Sequence, residues 1–274
     1  MKRVLKRLLV ILGAVLGVVV AFLVGVYFLA KPAPEQLLVW ETGRAPSPLY
    51  NPADFGPLQL DSLRRLYGKN KVLPPQYELQ CLLAIAHYPS LQNANVSFVL
   101  GPAIYPLASR PEPLTLLGGC SGRRYNVFLS TDTGNDFLNQ INVDKLPFNA
   151  CVAIIAHELG HAAYYQKRSG IEMLAFPLHF FTSLDYRAAH ESTTDKRVLY
   201  QGLGLHMLEY TQYTRRVLSA DGPIAPPPGF ADQMGWVEKL YLDEAEVRAE
   251  LATLPAYAEL MGPTAPPATT GPAQ

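Results

Sequence analysis

A histidine motif inside one long apolar stretch places the strongest constraint on how this chain can fold. The stretch runs from Ala150 to Lys167 (ACVAIIAHELGHAAYYQK), and its length and apolar character predict one buried helix. Within it, His157-Glu158-Leu-Gly-His161 forms an H-E-x-x-H pattern. Helical spacing puts both imidazoles on one face, about 5–6 Å apart at their Cβ atoms, so both can bind one metal ion. Glu158 is then placed to reach a metal-bound water rather than the metal itself.

A zinc site that performs catalysis needs a third protein ligand and an open position for water. Glu191, in His190-Glu191-Ser-Thr-Thr-Asp195, is the best candidate for that ligand. Glu191 and Asp195 are four residues apart and share a helix face, so Asp195 can accept the outer ring N–H of a ligating histidine, most simply His157. On their own, the two acids would equally suit a solvent-exposed helix edge. His190 is the alternative third ligand and would give a three-histidine site.

The amino terminus predicts a membrane anchor. Four positive charges lie within the first seven residues, and an uninterrupted apolar run then extends from Leu8 to Ala30. Such a helix spans a hydrocarbon core of about 30 Å. The basic flank predicts a cytoplasmic amino terminus, a single membrane pass and an extracytoplasmic catalytic domain. A cleaved secretion signal is the alternative, although this run is longer than usual and ends without a good A-x-A site.

Composition and length predict one domain behind this anchor. The chain has 274 residues with 23 basic and 23 acidic side chains, so no nucleic-acid partner is expected. A Pro-rich spacer at 31–57, a folded domain at 58–260 and a disordered Pro/Thr/Ala tail at 261–274 follow the cytoplasmic end 1–7 and the anchor 8–30. Cys151 is predicted to be a buried small hydrophobe, and a disulfide between Cys81 and Cys120 is possible. The oligomeric state is left open.

The remaining pattern predicts an α+β fold that is mainly helical with a small sheet. A strand is expected at Ala94–Leu100, and a hairpin is expected from Leu114–Leu117 and Arg123–Ser130, whose second strand either pairs with extended substrate or is an ordinary sheet strand. The apolar segment Ile171–Leu184 is predicted to be a core helix or a lip over the cleft, rather than a membrane-dipping segment. Further helices are expected at Leu58–Tyr67, Gln76–His87, Tyr186–Tyr200, Leu205–Leu218 and Met234–Leu254, with Pro147 in the first turn of the motif helix and Gly170 at its end.

The motifs together resemble a known group of enzymes. H-E-L-G-H followed by E-x-x-x-D resembles the gluzincin metallopeptidases, and the amino-terminal anchor makes the chain similar to the membrane-associated heat-shock and prenyl-protein peptidases. The resemblance implies a zincin-like domain with His157, His161 and Glu191 as zinc ligands, Glu158 as the catalytic base, and Asp195 holding a ligand in place. It implies hydrolysis of protein or peptide substrates by a zinc-activated water.

Three functions remain open from the sequence. The leading hypothesis is an anchored zinc metallopeptidase in which Glu158 moves the proton. A membrane-tethered binding or assembly protein with a structural, catalytically silent zinc site is the alternative, and hydrolysis of a non-peptide amide uses the same chemistry. A peptidase also needs a donor for the developing oxyanion, for which the downstream side chains are candidates: Tyr200, His206, Tyr210 and Tyr213.

Overall fold

The amino-terminal apolar run forms a single long helix that projects from the rest of the chain. The computed structural model describes residues 2–30, 44–118, 122–219, 221–228 and 240–261. Helix α1 covers Lys2–Leu29, and it is long and apolar enough to cross a membrane. Residues 5–24 are all exposed, and Val26 is the one described residue of α1 that is buried. The helix therefore touches the folded part only through its last turns.

Helices make up most of the folded part, as the sequence predicts. The predicted helices near 58–67, 76–87, 186–200 and 205–218 are all present, with ends shifted by a few residues. The α-helices after α1 are α2 (Pro57–Tyr67), α3 (Glu78–Ala86), α4 (Asp136–Asn139), α5 (Phe148–Gln166), α6 (Gly170–Thr182), α7 (Leu184–Val198), α8 (Gly204–Val217), α9 (Glu244–Thr253) and α10 (Pro255–Met261). A π-helical segment, Leu199–Leu203, joins α7 to α8.

Four strands form one small mixed sheet in the order β1-β2-β4-β3. The strands are β1 (Lys71–Val72), β2 (Asn95–Gly101), β3 (Leu107–Pro111) and β4 (Arg124–Ser130). β2 runs parallel to both β1 and β4, whereas β3 runs antiparallel to β4. The predicted mainly helical α+β fold with a small sheet is thus confirmed.

The predicted hairpin exists, but its first strand is wrong. Residues Pro113–Gly118 form a 3-10 helix, and Leu107–Pro111 pairs with β4 instead. Of the two roles left open for β4, the structure supports the ordinary sheet strand, because β2 and β3 occupy both of its edges. The free edge on that side of the sheet belongs to β3.

Two helix boundaries differ from the sequence prediction. Pro147 precedes α5 as its N-cap residue, and α5 ends at Gln166, so Gly170 begins α6 rather than stopping α5. Of the helix predicted at Met234–Leu254, residues 240–243 are not helical and a helix covers Glu244–Thr253, where the side chain of Asp243 accepts a hydrogen bond from the Glu246 backbone N–H and completes a capping box. Residues 31–43 of the predicted spacer, Cys120, residues 229–239 and the tail after Met261 lie outside the described residues.

Helix α5 is the centre of the core. Helices α3, α7 and α8 and strand β3 all pack against it. Its side chains from Asn149 to Tyr165 are all buried, including both motif histidines. Cys151 is buried as predicted, and burial raises the pKa of its thiol to about 12. Cys81 is also buried, and both residues carry free thiols. The fold thus surrounds the H-E-x-x-H motif with protein on several sides.

Candidate metal centre

Helix α5 presents two imidazoles from consecutive turns. The rings of His157 and His161 lie 4.7 Å apart between centroids and are nearly perpendicular, at 88°. Both residues are buried, with only 2% and 6% of their surfaces exposed. Because the histidines are four residues apart in a regular helix, the motif itself fixes this arrangement.

Gly160 lets helix α7 approach this face of α5. A Cβ atom at position 160 would lie 2.8 Å from the Thr194 Cγ2 atom, closer than two carbon atoms can pack. The guanidinium of Arg197 donates to the Gly160 carbonyl oxygen over 3.0 Å. The glycine inside H-E-L-G-H therefore has a packing role, since α7 carries the carboxylates that complete the cluster.

Helix α7 brings Glu191 and Asp195 to the two imidazoles. One oxygen of Glu191, Oε2, lies 3.2 Å from His157 Nε2 and 3.3 Å from His161 Nε2. Asp195 Oδ1 lies 2.8 Å from the other ring nitrogen of His157, Nδ1, and its Oδ2 accepts a hydrogen bond from the Leu242 backbone N–H. The structure therefore brings Glu191 and Asp195 of α7 to the two motif histidines. Glu191 lies at the Nε2 atoms of both rings, and Asp195 lies at Nδ1 of His157.

Burial and charge act in opposite directions on the protons of this cluster. Burial alone would lower the pKa of His157, but its hydrogen bonds to Asp195 and Glu191 hold that pKa well above its usual value. Burial alone would likewise raise the pKa of Glu191, but His161 and His157 hold it well below its usual value. Positive charge between the carboxylates is therefore favoured at this point in the core.

His190 contacts the outer side of the motif, away from the Glu191 carboxylate. Its Nε2 atom lies 2.9 Å from His161 Nδ1, and the Thr194 hydroxyl donates to the His190 carbonyl oxygen over 2.9 Å. The His190 ring also packs against Phe176 of α6, with centroids 4.8 Å apart. His190 therefore orients the His161 ring from its Nδ1 side, whereas Glu191 lies on the Nε2 side.

Glu158 projects into the same buried space. His157, Glu158 and His161 each offer one potential ligand atom, and these atoms lie within 4.8 Å of one another, so this buried group could hold a metal ion. Glu158 Oε2 is buried and has no hydrogen-bond partner among the described residues. Burial raises the pKa of this carboxyl. An unpartnered buried oxygen calls for a further group in the cluster, such as a water molecule or an ion.

Tyrosines from two later segments face the cluster. Burial raises the pKa of Tyr210 and of Tyr241, although Tyr241 as a whole residue is 41% exposed, and the charges of Glu158 and Asp195 raise both pKa values further. The Tyr241 ring also lies 5.9 Å from that of His157. No spacing rule connects Tyr241 to the motif, so sequence reasoning missed it.

The other predicted donors contact different groups. The Tyr200 hydroxyl donates to Glu250, and the Tyr213 hydroxyl donates to the Gln140 carbonyl oxygen. His206 packs against Tyr50, with ring centroids 4.7 Å apart. Of the four downstream candidates, only Tyr210 lies in the field of the site's carboxylates.

The last two histidines have structural contacts. His87 lies at the end of α3, where its ring nitrogens contact the Tyr50 hydroxyl and the Gln201 carbonyl oxygen. His179 is buried in α6 and stacks on Tyr27 of α1 at 4.3 Å.

No protein-family model, curated protein or solved structure matches this chain. The proposal for its function therefore depends on the geometry of the site.

Proposed function

We propose that the chain is a membrane-anchored, zinc-dependent peptidase with His157, His161 and Glu191 as metal ligands. The observation that carries the proposal is the position of the Glu191 Oε2 atom, 3.2 and 3.3 Å from the two Nε2 atoms. Tetrahedral zinc with bonds of about 2.0–2.1 Å has ligand atoms about 3.3–3.4 Å apart. The two distances from the Glu191 oxygen to the imidazole nitrogens therefore match those between ligands of tetrahedral zinc.

Asp195 and His190 fit the role of orienting the ligands. Each contacts the outer nitrogen of one imidazole, Nδ1 of His157 or Nδ1 of His161. Such partners fix the tautomer and ring orientation of a metal-ligating histidine, which leaves Nε2 directed at the metal. Two independent outer contacts make accidental convergence of the imidazoles a poor explanation.

The chemistry proposed is hydrolysis of an amide bond. A zinc ion held by these residues supplies a Lewis acid for the substrate carbonyl and lowers the pKa of water. Glu158, with its raised pKa and free Oε2, accepts a proton from the attacking water and passes it to the leaving amine. Tyr210 and Tyr241 lie near the carboxylates of this site, and a tyrosine hydroxyl, which is protonated near pH 7, can donate to the developing oxyanion.

An extended polypeptide suits the surface beside the site. Strand β3 is at an edge of the sheet, paired only with β4 among the described strands, and packs against α5. An edge strand can add a substrate strand through backbone hydrogen bonds that do not depend on sequence. This favours a peptide over a small amide as the substrate.

Helix α1 supports the membrane anchor in this proposal. Its apolar length and its basic amino-terminal flank favour a single pass with the amino terminus in the cytoplasm, which puts the catalytic domain outside the cytoplasm.

One observation favours a second function, a tethered binding protein with a silent zinc site. His157, Glu158 and Glu191 are at most 5% exposed, as in a closed structural site. Both functions require bound zinc, so zinc content alone cannot separate them.

The experiment that separates them compares the wild-type protein with Glu158→Gln on an unfolded protein mixture. For the peptidase, Glu158→Gln retains zinc and cleaves about 100- to 10,000-fold more slowly, because the proton acceptor is lost. Glu209→Gln, which changes a carboxylate outside the cluster, is the matched control and should cleave normally. Zinc-loaded wild-type protein that cleaves nothing would support the silent site, and undiminished cleavage by Glu158→Gln would overturn the assigned mechanism.

A further inference from the structure

An exposed apolar stripe follows one side of helix α6, directly after the motif helix. Ile171, Leu174 and Phe181 are 58%, 40% and 70% exposed, and Leu184 continues the stripe at 43%. The first three recur at helical spacing, while Met173, Phe176 and His179 on the other side are buried. Helix α6 thus has one face in the core and one apolar face without a partner among the described residues.

The end of α1 is attached to the same helix. His179 of α6 stacks on Tyr27 at 4.3 Å, and its Nε2 atom donates to the Tyr27 carbonyl oxygen over 3.1 Å. Val26, the buried residue of α1, lies in this contact region between α1 and α6. Helix α6 therefore contacts the last turn of the anchor helix through its buried face, which leaves the apolar stripe on its other face.

The length of the apolar part of α1 sets the level of the membrane surface. This part begins at Leu8, directly after the charged Lys6 and Arg7, and about 20 residues at 1.5 Å per residue span about 30 Å, which is the thickness of a hydrocarbon core. Counted from Leu8, this length ends near Tyr27, where α1 contacts α6. Helix α6 therefore lies at the level where the acyl chains end and the headgroups begin.

Side chains around the stripe suit this interface. The Arg187 guanidinium lies over the rings of Phe180 and Phe181, at 4.9 and 5.7 Å from their centroids. Aromatic rings beside a basic side chain are typical of the headgroup region, where the ring is in the apolar layer and the charge is in water.

We infer that α6 is an interfacial helix whose stripe of Ile171, Leu174 and Phe181, continued by Leu184 at the start of α7, binds the outer surface of the lipid bilayer. The inference rests on the anchor of the proposed function, but not on the peptidase activity. The buried side of α6 contacts His190 through Phe176, and His190 contacts His161. The bilayer surface is thus only one helix away from the motif.

The test measures what each position touches in the full chain, reconstituted into phosphatidylcholine–phosphatidylglycerol vesicles. A fluorophore is attached at Phe181→Cys, and in a second variant at Ile171→Cys, in a Cys120→Ser background; Cys81 and Cys151 are buried. Brominated lipids quench a probe in the acyl region, and iodide quenches a probe in water. We expect quenching by brominated lipid at a depth of about 5–10 Å below the headgroup boundary, and protection from iodide.

Two control positions separate the possible outcomes. Leu58→Cys, on α2 and 78% exposed in the structure, should be quenched by iodide only, and Leu16→Cys, within α1, by brominated lipid only. Iodide quenching at Phe181→Cys would overturn the inference, and protection from both quenchers would overturn it in favour of a second copy or another protein covering the stripe. Absence of lipid quenching at Leu16→Cys would overturn the anchor together with the inference, whereas peptide cleavage is a separate measurement.

Discussion

The protein has two buried histidine clusters that differ in charge. The carboxylate-rich cluster contains His157 and His161 with Glu191 and Asp195, whose nearest oxygens lie 2.8–3.3 Å from ring nitrogens. The neutral cluster consists of His87, His206 and Tyr50. Here His87 contacts only the Tyr50 hydroxyl and a backbone carbonyl oxygen, and both ring nitrogens of His206 are buried without a hydrogen-bond partner among the described residues.

The same burial gives opposite results in the two clusters. Burial lowers the pKa of His87, and it lowers that of His206 to about 3, so both rings are neutral near pH 7. In the carboxylate-rich cluster the carboxylates reverse this effect for His157. Burial alone therefore does not distinguish the two clusters, whereas the carboxylates that converge on His157 and His161 do.

The largest expected difference between the two clusters appears when one histidine is removed from each. We expect His157→Asn to abolish both zinc binding and cleavage, because it removes a proposed ligand. His87→Asn should keep zinc and activity, and should lower the free energy of unfolding by about 1–3 kcal/mol through unpaired polar groups. Zinc content by elemental analysis and cleavage rates check both, and equal zinc in the two variants would show that the clusters do not differ in the proposed way.

The next largest effect concerns the carboxylate behind His157. Asp195→Asn should weaken zinc binding about 10- to 100-fold, because the outer partner of a ligating histidine raises its basicity and fixes its orientation. Competition with a chelator of known affinity measures the change. Glu209→Gln should leave zinc affinity unchanged, so a similar loss in both variants would indicate a general effect on stability.

Short-range spacing explains why much of the centre can be predicted from the sequence. His157 and His161 are related by one helical turn, as are Glu191 and Asp195, so each pair shares a face wherever its helix lies. Apolar composition also predicts α5 as a buried helix and α1 as a helix long enough to span a membrane. These features depend on neighbours in the chain rather than on tertiary packing.

Features that depend on distant segments were missed or misplaced. Tyr241 reaches the cluster from the segment before α9, where the Leu242 backbone N–H donates to Asp195. β3 is a short strand of Leu-Ala-Ser-Arg-Pro with weak strand character, and it is defined by its pairing with β4. Pro177 also lies inside α6 without ending it, since tertiary packing of the buried face outweighs the lost backbone hydrogen bond.

The pH dependence of stability tests whether His206 is neutral in the folded protein. The folded protein keeps this ring neutral until about pH 3, whereas the unfolded chain takes up a proton below about 6.5. Stability is therefore unaffected by His206 above pH 6.5 and falls as the pH drops below it, by about 2 kcal/mol at pH 5. Chemical unfolding in detergent at pH 7 and pH 5 measures this loss.

The variant His206→Phe serves as the control for that titration. It has no titrating ring, so its stability should fall by about 2 kcal/mol less between pH 7 and pH 5 than that of the wild type. An unchanged pH dependence in a variant that folds normally would place the acid sensitivity elsewhere. His206→Leu gives a second apolar replacement with the same expected result.

The smallest effect tests whether the neutral cluster has only a structural role. Tyr50→Phe removes the hydroxyl that lies 2.8 Å from His87 Nε2 and should lower the free energy of unfolding by about 1 kcal/mol. Zinc content and cleavage rate should not change, because no contact joins Tyr50 to the four residues of the carboxylate-rich cluster among the described contacts. Tyr105→Phe, at a residue that is 58% exposed, controls for loss of a hydroxyl at the surface. A fall in zinc affinity with Tyr50→Phe, absent with Tyr105→Phe, would mean that the two clusters are energetically coupled through α5 and α8, and the division drawn between them would fail.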